Sequence, residues 1–313
     1  MHIVTWEMPQ ALKDELNSHY KTRLAPLLKN GTPLGAIQAI TFDGVAPHLT
    51  LEAVERFVDF IDTQFLSNGL RGVGLEVGSG PGTFTALLAK RKRVEKVYGV
   101  DACEAIVREL MPAVVSYLMP SGSEEKVVGA VGDFTHIGLP DASVDFVFDF
   151  FSLHHADDLG QTLREAARIL KPGGFVFCFD KARDNNLSDQ DLNAMLDREY
   201  SEAFKRTMGV DPTQKWTRRM NGEKEYRLKD WKKSFLENGF QAFEHFHIAR
   251  IKSNNPLVKA LKTLFSFLPA RVQARITNLL PLKAQNNLSP DHRVYTALLN
   301  DFPKEISLMI AYK

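Results

Sequence analysis

Apolar positions along this chain follow two different periods, and the change from one to the other divides it. Between residues 1 and 70 they fall at helical spacing: Leu12, Leu16 and Tyr20, then Val54, Phe57, Val58, Ile61 and Phe65. Thr50 is placed to cap the second of these helices and Asn68-Gly69 to stop it. The expectation is a helical N-terminal layer over 1–70, packed on a sheet, with Tyr20 on the side of a ligand pocket. From 73 to 180 short apolar runs at 73–77, 96–100, 126–131, 144–148 and 175–179 alternate with helical patterns. Leu159, Leu163, Ala167 and Leu170 form one such helical face, closed by Lys171-Pro172-Gly173-Gly174. That alternation predicts a parallel sheet with helices on both sides.

Two further segments interrupt the pattern. Residues 182–228 contain Ser188-x-x-Asp191, a capping box, ahead of Leu192, Leu196, Tyr200 and Phe204. Residues 252–303 place Leu257, Leu261, Leu264, Phe265 and Leu268 on one helical face. Two cap insertions are expected here, the second a helical lid whose Leu261 and Phe265 line an acceptor pocket together with Phe151. Ordinary packing, or a surface that touches lipid, is the competing reading of the same face.

Composition narrows the class. The 313 residues suffice for a full core. A net charge of +1 supplies no field for nucleic acid or an anionic membrane. Only Cys103 and Cys178 occur, which fits a reducing cytoplasm and excludes a disulfide framework. No apolar run approaches the roughly 18 residues of a membrane span, and no leader is expected in 1–10. The expected setting is cytoplasmic, with a small-molecule partner, no nucleic acid and no integral membrane segment; a homodimer is compatible with it.

Chemistry concentrates at 73–85, where an apolar run meets Gly78, Gly80 and Gly82 and then a helical pattern. A strand, a turn free of side chains and a helix N-terminus receive ligands whose polar part lies on the backbone. The dinucleotide fingerprint requires a third glycine at 83, where Thr83 stands. Asp101, at the end of the second strand, is positioned either for ribose hydroxyls or to cap the helix after it. Gly132-Asp133-Phe134 ends the third strand with a carboxylate beside an aromatic ring, and Asp149-Phe150-Phe151 ends the fourth.

The ordered set Glu76/Gly78/Gly80/Gly82, Asp101, Gly132-Asp133-Phe134, Leu139-Pro140, His154-His155 and Leu170-Lys171-Pro172-Gly173-Gly174 resembles the class I S-adenosylmethionine-dependent methyltransferases. The likeness is greatest to the small-molecule group containing the quinone-biosynthesis C-methyltransferases, and it covers roughly 71–181. Beyond that, 231–240 resembles the last helix of the family, and 241–251 and 306–312 its final strands. The resemblance implies a Rossmann-like seven-stranded sheet, mostly parallel with an antiparallel last strand. The donor-binding domain would then comprise 71–251 and 304–313.

The resemblance also implies donor contacts. Gly78, Ser79, Gly80 and Gly82 lie under the methionine part, with Glu76 orienting the loop. Asp101 and Ala102 take the ribose, Asp133 and Phe134 the adenine, and Phe150 the floor near the methyl group. His154 and His155 are the candidate bases. Methyl transfer from sulfonium needs no metal, and Asp184-Asn185 stands too far along to match the metal pair of catechol-type enzymes. The run Asp149-Phe150-Phe151-Ser152 lacks the motifs of DNA amino- and cytosine-methylating enzymes. A nicotinamide oxidoreductase and a non-catalytic scaffold of the same fold are the alternatives.

Overall fold

Strands and helices form where the pattern places them, with additions at both sheet edges. The computed structural model describes residues 1–43, 50–66, 68–249, 264, 292–296 and 305–313. In chain order its strands are β1 (His2–Thr5), β2 (Gly72–Val77), β3 (Val94–Asp101), β4 (Val127–Val131), β5 (Val144–Phe150), β6 (Leu170–Phe179), β7 (Ala182–Arg183), β8 (Tyr226–Arg227), β9 (Ala242–Ala249), β10 (His292–Thr296) and β11 (Glu305–Tyr312). The helices are α1 (Gln10–Asn30), α2 (Pro33–Ala36), α3 (Leu51–Phe60), α4 (Thr83–Ala89), α5 (Met111–Leu118), α6 (Leu159–Ile169), α7 (Asp189–Leu196), α8 (Glu202–Thr207) and α9 (Leu228–Glu237). Wide π-helical turns extend α2 through Ile37–Phe42 and α3 through Ile61–Phe65.

The main sheet runs in the order β1-β4-β3-β2-β5-β6-β11-β9-β10. From β1 to β6 neighbours are parallel, and β11 is antiparallel to both β6 and β9. This is the mostly parallel Rossmann-like sheet expected, but with nine strands instead of seven. The extra two are edges. β1 pairs with β4, so the layer 1–70 is not wholly helical. β10 pairs with β9 inside the segment 252–303, which was expected to be helical throughout. Both are too short for period-two alternation to reveal, although Ile3, Val4 and Thr5 have strand propensity.

Period two on β5 sends Phe146, Phe148 and Phe150 to one face of the sheet and Val147 and Asp149 to the other. The phenylalanine face meets Phe42, Phe57 and Ile61 of the N-terminal layer together with α4 and α5. Phe57 packs edge-on against Phe179, ring centroids 4.5 Å apart. On the opposite face α6 and α9 bury Leu163, Trp231 and Phe235 against Val147 and Val176. Several local signals hold as written in the chain. Thr50 accepts from the Ala53 N–H, Ser188 and Asp191 close a capping box, and Gly239 takes a left-handed φ of 102° just past α9. The pattern 192–204 breaks into two short helices, with Tyr200 and Phe204 turned onto Trp216.

Candidate active site

All the donor residues expected from the sequence meet at the carboxyl ends of β2, β3, β4 and β5. Gly78, Gly80 and Gly82 carry φ of 62°, 49° and 79°, a region open to glycine and costly for other residues. Gly78 has a second constraint: a Cβ there would sit 2.1 Å from Ser152 Oγ. The Gly80 N–H donates to Asp101 Oδ2 at 2.9 Å and the Cys103 N–H to Oδ1 at 2.9 Å. Of the two roles foreseen for Asp101, the structure shows the capping one. The carboxylate caps the chain that follows, and each of its oxygens keeps a lone pair for a hydroxyl donor. Ala102 is buried beside it, and Phe134 approaches Gly78 from above.

Two buried polar atoms here have no hydrogen-bond partner in the protein, Asp133 Oδ2 and Ser79 Oγ. Asp133 Oδ1, by contrast, accepts from the Thr135 N–H and hydroxyl at 2.6 Å each and from the His136 N–H at 3.1 Å. A buried acceptor left open costs on the order of 1–3 kcal/mol, so Oδ2 would gain from a donor.

The floor is acidic. Glu76 is buried and accepts from the Thr85 hydroxyl; burial, then the charges of Asp101 and Asp149, push its carboxyl well above the usual range, against the pull of that hydrogen bond. Burial raises Asp101 as well, opposed by its two backbone donors. Asp149 lies under the Ser152-Leu153 turn, accepting from both N–H groups at 2.9 Å. Burial and the neighbouring Asp180 push it well up. Asp149, Cys178 and Asp180 bring three ligand-type atoms within 4.8 Å, but the Cys178 thiol is a donor there, to Asp149 Oδ2 at 3.1 Å. Asp184 and Asn185 cap chain ends: Asp184 accepts from the Asn186 N–H and Asn185 from the Lys229 N–H at the start of α9.

The two histidines have separate surroundings. His154 is 3% exposed, with Nδ1 2.7 Å from Asp180 Oδ1, and its N–H donates to Asp180 Oδ2 at 2.9 Å. Its Nε2 stands 3.3 Å from Lys181 Nζ, which itself donates to Glu223 at 2.5 Å. The Nδ1–Oδ1 approach is close enough for an ion pair but lacks hydrogen-bond geometry, so what holds His154 over Asp180 is its backbone N–H. His155 is exposed, its ring 4.2 Å from that of His154. Asp180 ends β6 as Asp101 ends β3; the same strand-end signal marks it in the sequence, yet it was missed. Nothing local marks Glu223, which lies 42 residues from Lys181.

Phe150 packs on Phe84 at 4.3 Å, and Phe151 stands edge-on to Phe150 with a left-handed φ of 56°. These rings form the apolar wall beside the glycine loop. The Tyr20 side chain, Leu261 and Phe265 lie outside the described residues. Of the lid face only Leu264 is described, and it is 68% exposed.

Residues 75–178 match the family described as "Methyltransferase domain". This part of the chain is thus similar to the class I S-adenosylmethionine-dependent methyltransferases, and the match does not extend to the rest of it. The curated relatives of the domain include the biotin biosynthesis bifunctional protein BioHC of Cellvibrio japonicus, 28% identical over 180 residues, 56% of this chain and 32% of that protein. The ubiquinone/menaquinone biosynthesis C-methyltransferase UbiE of Caulobacter vibrioides is 32% identical over 111 residues, 35% of this chain and 44% of that one. The chain thus spans less than half the length of these relatives. Among solved structures, the [4+2]-cyclase SpnF superposes with a TM-score of 0.52 over 99% of both chains at 17% identity, which is a likeness of fold alone.

S-adenosylmethionine is the cofactor of the methyltransferase domain, and the residues present fit it. The free lone pairs of Asp101 would suit two ribose hydroxyls, and the open Asp133 Oδ2 would suit an exocyclic amine.

Proposed function

We propose that the protein transfers the methyl group of S-adenosylmethionine to a small, partly apolar acceptor. The observation that carries this reading is the donor cradle, an open buried Asp133 Oδ2 and a doubly capped Asp101 around three left-handed glycines. The bound cofactor supplies an electrophilic methyl on a sulfonium, displaced in line. What the chain does is hold the two reactants close and keep water out, which makes an encounter effectively unimolecular. Phe150 and Phe151 wall the methyl side and favour an apolar ring or chain.

His154 takes the acceptor's proton at Nε2. Asp180 stabilises the charge that results, and Lys181 must move aside from Nε2 for the acceptor to enter. His155 lines the approach. Acceptor choice resides in the insertions 182–228 and 252–303, outside the matched domain. The names of the relatives support a biosynthetic small molecule over nucleic acid, as does the near-neutral charge. Two free, buried cysteines support a reducing, cytoplasmic setting.

Calorimetry with S-adenosylmethionine and with NAD tests the reading. The first should bind and the second should not. Asp101→Ala should cost roughly 1.5–3 kcal/mol of S-adenosylmethionine affinity through loss of a charged acceptor. Unchanged affinity in that variant would remove Asp101 from the ribose.

A further inference from the structure

Trp6 follows β1, and its N–H donates to the Val131 carbonyl at 2.8 Å, so it stands level with Gly132 at the carboxyl end of β4. Its half-buried ring lies against the loop 132–138. A Cβ on Gly138 would sit 2.3 Å from Trp6 Cδ1, and one on Gly132 would sit 3.0 Å from Trp6 Cβ. Neither glycine has a left-handed backbone, so what the two supply is room for the indole.

The same loop is also held by α6, which packs in one apolar cluster with Trp6. Glu165 accepts from the Ile137 N–H at 3.0 Å, and Arg168 donates to the Ile137 and Leu139 carbonyls at 2.8 Å each. Gln161 donates to the Thr135 carbonyl at 3.3 Å. In this loop Asp133 has Oδ1 saturated by its own turn and Oδ2 buried without a partner. The three hydrogen bonds to Oδ1 hold the carboxylate within the loop, so the aim of Oδ2 follows the position of the loop.

We propose that Trp6, delivered by the added edge strand, is a positioning residue for the donor site. It sets the aim of Asp133 Oδ2 and thereby the preference for a purine with an exocyclic amine. The proposal rests on the donor reading above. The hydrogen bonds from α6 and the indole together fix the loop on the strand ends. Without the ring the loop shifts, and Oδ2 loses its aim at the ligand.

The test is calorimetry with two probes, S-adenosylhomocysteine and S-inosylhomocysteine, which carries a carbonyl in place of the amine. The wild-type protein should prefer the first by about tenfold or more, because the carbonyl faces an acceptor. Trp6→Ala should lower that ratio at least about fivefold, by weakening the amine ligand while leaving the carbonyl ligand nearly unchanged. Trp6→Phe should restore the ratio. Gly138→Ala, which displaces the indole without removing it, should behave as Trp6→Ala and serves in its place should the alanine variant fail to fold. An equal weakening of both probes, or an unchanged ratio in both variants, overturns the positioning role. Absence of S-adenosylhomocysteine binding in the wild type overturns the donor reading and this proposal with it.

Discussion

At the scale of single residues the site is built from atoms whose alternatives are closed. Gly78 combines a left-handed φ with a side chain pressed against its open face. Gly78→Ala adds roughly 1–2 kcal/mol of backbone strain to a clash with Ser152, so both stability and donor affinity should fall. A thermal melt with and without S-adenosylhomocysteine reads the two effects separately. His154 differs from His155 by having Asp180 beneath it. If His154 is the base, Asp180→Asn should lower turnover by about 10²–10⁴-fold and alter the pH–rate profile, with donor affinity preserved. Methyl transfer with normal turnover and an unchanged profile in that variant would reduce the pair to a structural contact.

At the scale of elements, the segment 199–227 is fastened over the β6 end by charge. Arg183 and Arg218 both donate to Glu225, Lys181 to Glu223, and the Tyr200 hydroxyl to Glu223 as well. Burial works against the Glu225 carboxylate, but Arg183 overcomes it, and the group ends below the usual glutamate range. A carboxyl depressed by folding contributes stability above its unfolded value and loses it as pH falls through the folded one. Acidification below the ordinary glutamate range should therefore loosen this segment ahead of the sheet. Amide exchange in α8 and in 216–225 should accelerate there, while β2 to β5 stay protected; equal protection throughout would refute the latch.

At the scale of the whole molecule, the N-terminal layer and the sheet share one core. Phe42, Phe57 and Ile61 pack with Phe148, Phe177 and Phe179, so 1–70 and the methyltransferase domain should unfold together. Phe57→Ala removes a fully buried ring at that seam and should cost roughly 3–5 kcal/mol. Calorimetric unfolding should remain a single transition at lower temperature. A separate early transition, with the sheet's own melting unmoved, would mean that the layer is an independent unit.

The pattern of the chain was enough for the five parallel strands between 73 and 180 and for the glycine cradle, because each is a local property; the last two central strands came only with the family resemblance. Buried parallel strands need continuous apolar runs, and a backbone that passes under a ligand needs glycine wherever φ is positive. Asp101 and Asp133 were legible for the same reason, since strand ends in this fold point their side chains at one edge. Tertiary structure alone decided the rest. The strand β1 is four residues long, and only a partner strand makes it a strand. Trp6 gains a role because Gly132 and Gly138 come to lie beneath it. The split between His154 and His155 was likewise invisible, because adjacent residues carry equal local signals. What separates them is Asp180, 26 residues away in sequence and hydrogen-bonded to one of them. Local periodicity records which face of an element is buried; it does not record which distant group is buried against it.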